Sequence, residues 1–327
     1  MTTARPIERL LRQFVAIPEL GIAMAVVLLA IIFDCVNPTL LSWDSVATML
    51  GAMPFVGIIA VGETFLMIAG ELDLSVGKVA GMCAIIAGCL MRDHHWSMAM
   101  GVGAGLMIGA AVGLVNGLLA VWARIPAFIV TLGMFYVADG INKLVSGGDV
   151  IYPLPASLTE IGRAIPFDWP WLISWAFLAL VAVACAGQFM LSRTVWGRMV
   201  CATGGNREVA RIAGIRVGAV KVACYVLTSV LAALAGILQM AEHESGDSEI
   251  GTGWELKVIA TVVIGGVSLF GGAGTVIGTM LGLALLAIVV GGLNVSGIGP
   301  NWQTVTFGVI LVAAVGMDVL RRRTKRA

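Results

Sequence analysis

Ten stretches of this 327-residue chain run for about 20 residues with almost no charge. That is the length a helix needs to cross a hydrocarbon layer about 30 Å thick. The stretches fall near 20–40, 45–69, 74–91, 97–123, 127–145, 169–191, 219–240, 254–270, 273–294 and 301–319, and only the turn FGGAG (270–274) separates the eighth from the ninth. They are too long and too uniformly apolar for the alternating strands of a membrane barrel, which leaves helices. With 59% hydrophobic residues and a mean hydropathy of +0.99, the composition also excludes an ordinary soluble domain. The expectation is an all-α integral membrane protein, residues 1–327 forming one domain of about ten transmembrane helices.

An even number of spans puts both termini on one side, and basic residues concentrate in cytoplasmic loops. With cytoplasmic termini, sixteen of the twenty Lys and Arg residues fall inside, Lys78 among them, and only Arg92, Lys143, Arg163 and Lys257 outside. The loop EHESGDSE (242–249), with four acids and no Lys or Arg, is then external. So is the Pro- and Gly-rich segment 146–168. Residues 1–19 read as a cytoplasmic lead with no cleavable signal pattern, and residues 320–327 as a basic cytoplasmic anchor.

The longest internal loop, 192–218, opens into GRMVCATGGNREVARIAGIRVGAVK (197–221), five basic residues and one acid in an oily chain. Asn206 is placed to cap a short helix and Gly214 to end it. Arg207 and Arg211, four apart, share a face able to meet acids on a partner.

Small and polar residues inside the spans carry the rest. Gly101, Gly105, Gly109, Gly113 and Gly117 recur every four residues on one helical face, and Gly274, Gly278 and Gly282 form a shorter series; both predict close helix crossings. AGELDLSVG (69–77) sets Glu71 and Asp73 at the end of the second span, followed by Ser75, which can cap the third helix. The two acids either sit at the cytoplasmic interface or take part in gating. Glu63, Asn116, Asp139 and Asn142 lie within spans, where each either bonds a neighbouring helix or lines a hydrophilic path; Phe128 and Thr131, in PAFIVTLG, could add an aromatic face and a hydroxyl to that path.

Other chemistries are not encoded. Gly77-Lys78 imitates the end of a phosphate loop, but Leu72 stands where its first Gly belongs and Val79 where its Ser or Thr belongs. The six cysteines include no C-x-x-C pair, and His94-His95 lacks acidic ligands at metal spacing, so no metal centre is expected, nor any catalytic group or nucleic-acid site.

Five blocks stand in a familiar order: LDLSVG (72–77), GLVNGLL (113–119), PAFIVTLG (126–133), GGN with ARIAGI (204–206, 210–215), and ELKVIATVVIGGVSLFGGAGTVIGT (255–279). Over nearly its whole length the chain resembles the permease of ribose-type carbohydrate ABC importers, a group that includes sugar, inositol and autoinducer-2 permeases. The resemblance implies a type II-like importer fold in the bacterial inner membrane. It implies a second permease chain, as homo- or heterodimer, a cytoplasmic ABC ATPase that carries ATP and magnesium, and a periplasmic binding protein delivering a small polar solute of the sugar class. This chain itself would bind no cofactor. It also makes the GGN segment the coupling helix, assigning ATPase contact to Gly204, Gly205, Asn206, Arg207, Glu208, Ala210, Arg211 and Gly214. Val209 stands where that family usually has Ala, Ala213 where it has Ser, and Glu71 where it often has Gly. The rival reading is a proton-coupled secondary transporter using Glu63 or Asp139.

Overall fold

A computed structural model describes residues 18–163 and 174–326, with side chains for all of these except 18, 163, 300 and 317–326. The lead at 1–17, residues 169–173 of the sixth apolar stretch and the side chains of the basic tail lie outside the described residues.

Each of the ten apolar stretches contains a helix. In chain order the helices are α1 (Pro18–Val36), α2 (Trp43–Ile68), α3 (Val76–Asp93), α4 (Met98–Val121), α5 (Ala127–Ser146), α6 (Ala156–Arg163), α7 (Trp175–Arg193), α8 (Val195–Gly205), α9 (Arg207–Ile212), α10 (Val217–Glu242), α11 (Trp254–Ile264), α12 (Val276–Val295) and α13 (Pro300–Arg326). Among the described residues, seven are long and apolar enough to cross a membrane: α1, α2, α4, α5, α7, α10 and α12. The protein is a multi-pass helical membrane protein.

Helix α2 is the hub. From Pro54 to Ile68 every residue except the half-buried Val56 is buried, packed against α7, α10, α11 and α12. Between apolar helices in lipid there is little hydrophobic gain on contact, so close backbone approach and polar bonds must supply the association. The α4–α10 seam shows how. A Cβ on Gly105 would meet Ile237 at 2.8 Å, on Gly109 the Ser229 carbonyl at 2.8 Å, on Gly113 the Tyr225 carbonyl at 2.5 Å and on Gly117 the Val222 Cα at 3.0 Å, while Gly101 faces Met91 of α3. The second series does the same: Gly278 lies against the Gly265 carbonyl, Gly282 against that of Thr261, and Gly274 against Val267. Helix α12 is fixed at its start by Thr275, which accepts from the Gly278 amide at 3.0 Å, and by Gln188 of α7, which accepts from the Val276 and Ile277 amides at 3.0 and 3.2 Å.

The eighth stretch differs from its expected span. Helix α11 has 11 residues, only about 16 Å at ~1.5 Å per residue and so half a membrane. It stops at Gly265 because the chain then turns through Gly266, Gly271 and Gly272, with φ of +85°, +84° and +83°, a region open to glycine. Counting apolar residues over 254–270 does not register those glycines.

The other half of this span is not helical. Gly246 pairs with Ile151 in an antiparallel bridge, Ile250 lies against Gly81, and the Gly251 carbonyl packs on Gly77. Gly77 is in the first turn of α3, about 24 Å from the far end of that helix at ~1.5 Å per residue. The segment 246–253, expected in an external loop, therefore dips beside α3, where protein rather than lipid surrounds its irregular backbone. Lys78, expected among the internal basic residues, is buried there: its Nζ donates to Thr252 Oγ1 at 2.9 Å and pairs with Asp139 at 2.8 Å.

Candidate coupling helix and solute cavity

At the end of the bundle formed by the segment between α7 and α10, the chain makes two short helices. Thr194 caps α8, its hydroxyl accepting from the Gly197 amide at 3.2 Å. Asn206, extended at φ −155° and ψ 105°, ends α8 and starts α9. Its Oδ1 accepts from the Glu208 and Val209 amides at 3.0 and 3.1 Å, filling two of the donors a helix start leaves open. Gly214, at φ +83°, closes the other end: its amide donates to the Arg211 carbonyl at 3.0 Å, and that of Ile215 to Ala210 at 3.0 Å. This is a helix held at both termini independently of its length. Only Ala210 faces the protein; Val209 and Ile212 are 59% and 79% exposed, a greasy pair on an otherwise charged helix. The expected arginine face is modified, because Arg211 pairs with Glu208 at 2.6 Å and presents a neutralised charge beside Arg207.

The acids of 69–77 are interior. Asp73 is fully buried; its Oδ1 accepts from the Ser75 amide at 2.8 Å and hydroxyl at 2.6 Å, and its Oδ2 from Asn116 at 3.3 Å. Asn116 also donates to Ser75 Oγ at 3.1 Å. The Asp73 amide donates to Glu63 Oε1 at 3.1 Å, which folds the loop back onto α2. Ser75 does not cap α3: at φ −82° and ψ −12° it already has helical geometry, and its hydroxyl is taken by Asp73 and Asn116. Glu71 instead accepts from Lys221 Nζ at 2.5 Å and from Tyr225 Oη at 3.4 Å, joining this loop to α10.

The remaining residues considered for a path are dispersed. Thr131 bonds the Ala127 carbonyl of its own helix at 3.0 Å, Asn142 donates to the Ser248 carbonyl at 3.2 Å, and Phe128 is 56% exposed on the outside of α5. Asp139 is held between Lys78 at 2.8 Å and Lys143 at 2.7 Å.

A cavity of about 770 Å³ lies elsewhere, between α2, α10, α11, α12 and α13; Glu63, Glu71, Asp73, Asn116, Phe128, Thr131 and Asn142 take no part in its lining. Its wall carries Trp254, stacked on Phe55 at 5.9 Å and 6° between planes, and Lys257, whose Nζ lies 5.6 Å from the centre of the Phe307 ring. Three buried polar atoms on that wall, Gln239 Oε1, Glu242 Oε2 and Thr261 Oγ1, have no hydrogen-bond partner among the described residues. Buried polar groups normally find partners, so these are available to a solute's hydroxyl groups. Aromatic faces with a few convergent polar groups are the usual make-up of small-molecule sites. The local signal for this wall is weak: WELK (254–257) puts an aromatic, an acid and a lysine at the start of an apolar stretch, directly after the glycines of GTG.

Residues 45–315 match the family model described as "Branched-chain amino acid transport system / permease component". The Autoinducer 2 import system permease protein LsrC of Escherichia coli O9:H4 (strain HS) is 33% identical over 300 residues, covering 92% of this chain and 86% of the relative. The Ribose import permease protein RbsC of Escherichia coli (strain K12) is 32% identical over 305 residues, covering 90% and 92%. No solved structure matches the chain. A helical multi-pass chain matched over most of its length by importer permeases belongs to this permease family, among the ribose-type ABC importer permeases.

Proposed function

We propose that this chain forms the membrane path of an ATP-driven importer in the bacterial inner membrane, for a sugar or a sugar-like polar solute. In this reading it has a type II-like fold, about ten spans and both termini in the cytoplasm, so that α8 and α9 emerge on the cytoplasmic side. It works as a pair of permease chains, homo- or heterodimeric, on a cytoplasmic ATPase that binds ATP and magnesium. A periplasmic binding protein delivers solute to the opposite face, where the 770 Å³ cavity receives it. Trp254 and Phe55 offer flat apolar faces to the ring of such a solute, and Gln239, Glu242 and Thr261 supply oxygen acceptors and a hydroxyl.

The observation that carries the reading is α9. A six-residue helix with an Asn cap, a left-handed Gly stop and two exposed apolar side chains is stiff enough to transmit force and has a surface that another protein would cover. Helices this short are not stable from propensity alone, so the caps supply the order. A mild-detergent pull-down of the tagged chain from native membranes tests this. It should recover an ATPase, and lose it when residues 204–214 are scrambled in a protein that still inserts.

The secondary-transporter reading has one supporting feature, the fully buried Glu63 beside Asp73. Asp139, its other candidate, has two lysines on its carboxylate and so lacks the isolation of a proton-carrying acid. Solute uptake by the reconstituted chain alone, driven by a proton gradient, would decide for that alternative.

A further inference from the structure

Helix α9 joins the bundle at a place from which side chains are excluded. A Cβ on Gly204, just before the Asn206 cap, would run into the Ile68 carbonyl oxygen at the end of α2 and stand 2.7 Å from the Gly272 amide nitrogen. The Gly272 amide donates to that same Ile68 carbonyl at 2.8 Å. From the other side, a Cβ on Gly271 would meet the Gly204 oxygen and the Gly70 Cα, each at 3.0 Å, and one on Gly272 would meet the Gly205 Cα at 2.6 Å. Gly70, Gly271 and Gly272 all have φ near +80°. The end of α2, the α8–α9 hinge and the turn after α11 thus meet backbone against backbone. Nothing flexible lies between them to absorb a displacement, as a long side chain would.

That turn is rigidly attached to α11. The Gly266 and Val267 amides donate to Val263 and Val262 at 2.9 and 3.2 Å, and the Ser268 amide to Ala273 at 3.0 Å. At its far end α11 carries Trp254 and Lys257 on the cavity wall. It is bounded by Gly253 at φ +75° and Gly266 at φ +85°, and the non-helical segment 246–253 precedes it. A stiff rod between backbone joints of this kind is the usual anatomy of a hinged element.

We propose that α11 is a lever. Movement of α9 passes through Gly204, Gly272 and Ile68 into the turn 265–274, and α11 carries it about 16 Å (~1.5 Å per residue) to the wall of the cavity. The glycines of the GGN and FGGAG motifs are then positioning residues for transport, because only a backbone contact without side chains makes the joint stiff. The inference rests on the reading of α9 as the ATPase dock.

The test requires no knowledge of the solute. Lys257→Cys is placed in a chain whose six native cysteines are replaced by alanine, purified with its ATPase and binding protein in lipid nanodiscs, and labelled with a membrane-impermeant maleimide. Adding magnesium-ATP with orthovanadate should change the labelling rate about threefold or more, as expected when the nucleotide shifts the population of two states. Adding Gly204→Ala should abolish that response while the ATPase still co-purifies. Gly205→Ala, whose Cβ reaches only the Gly272 Cα at 3.9 Å, should lose less of it. Gly266→Ala strains the hinge from outside the contact and should also remove the response, which keeps the test decisive if Gly204→Ala fails to assemble. A response at residue 257 that survives Gly204→Ala with the ATPase bound, or Gly266→Ala, overturns the lever. So does an otherwise unaltered chain whose residue 257 ignores nucleotide while its ATPase remains bound. Failure of that chain to bind any ATPase overturns the docking reading instead.

Discussion

Replacing Gly113 by alanine adds one methyl group, and the structure specifies what it strikes. The new Cβ would stand 2.5 Å from the Tyr225 carbonyl oxygen, 2.7 Å from the Val226 Cα and 2.9 Å from the Tyr225 carbonyl carbon. All three are backbone atoms of α10, so no side chain can rotate aside; α4 and α10 must separate by several tenths of an ångström along a seam that Gly105, Gly109 and Gly117 also hold closed. Overpacking of this kind costs about 1–3 kcal/mol. Separation also weakens contacts at neighbouring turns, which puts the expectation at about 2 kcal/mol, a factor of about 30 in the folded population. Gly103 in the same helix is the internal control, since a Cβ there meets nothing within 4 Å; Gly103→Ala should be neutral or slightly stabilising, as expected of alanine against glycine in a helix. Equilibrium unfolding in mixed micelles, with both variants measured in parallel, provides the comparison. Equal stabilities for Gly113→Ala and Gly103→Ala would show that the seam is compliant, and the argument from backbone approach would fail.

Other perturbations test separate parts of the structure. Asp73→Ala leaves the buried Asn116 and Ser75 without their shared acceptor and should cost about 1–3 kcal/mol, measured by thermal unfolding in detergent. Lys78→Met removes a buried partner of Asp139 and should cost about 3 kcal/mol, the lower end for breaking such a pair because Lys143 remains; Lys143→Met, whose side chain is 55% exposed, should cost less than about 1 kcal/mol. Asn206→Ala removes two cap bonds from α9 and should lower its local stability by about 0.5–2 kcal/mol, seen as faster amide exchange over 207–212 with little change elsewhere.

What could be read from the sequence was what the chain settles locally. Apolar runs located the helices, Asn206 and Gly214 marked the ends of α9, and the four-residue glycine spacing identified a packing face. These signals span one or two helical turns, so a single window contains them. Partnerships across the fold were not legible. Glu71 and Lys221 are 150 positions apart, and Lys78 and Thr252 are 174 apart; hydropathy assigned each lysine to a loop side by charge alone. The half-length α11 escaped for a different reason. Its glycine turn is apolar, so a scale that scores transfer to lipid continues through it, while the backbone, free at φ near +80° only where Cβ is absent, does not.

The non-helical half of that span has a physical consequence. A continuous helix through residues 246–264 would satisfy its own backbone and need nothing from its neighbours. The turn-rich segment 246–253 instead depends on α3, α5 and the Ile151 bridge: Gly81 admits the Ile250 carbonyl, Gly77 admits that of Gly251, and Asn142 and Lys78 hold Ser248 and Thr252. Such a segment can exchange partners with solute or water at lower cost than a helix can unwind, because its internal bonds are separate turns, Ile250 to Asp247 and Thr252 to Glu249, rather than a continuous ladder. It also begins beside the cavity, near Glu242 and His243, and ends at Trp254. Gly81→Leu should therefore push Ile250 outward and displace 246–253 without disturbing α2 or α9. Exchange of the amides of Ile250 and Trp254 should accelerate about tenfold or more, as for local opening eased by about 1.4 kcal/mol, while exchange over 207–212 stays as it was. Equal acceleration in both regions would mean that the segment is part of one cooperative unit with α9, and that its non-helical backbone confers no independent mobility.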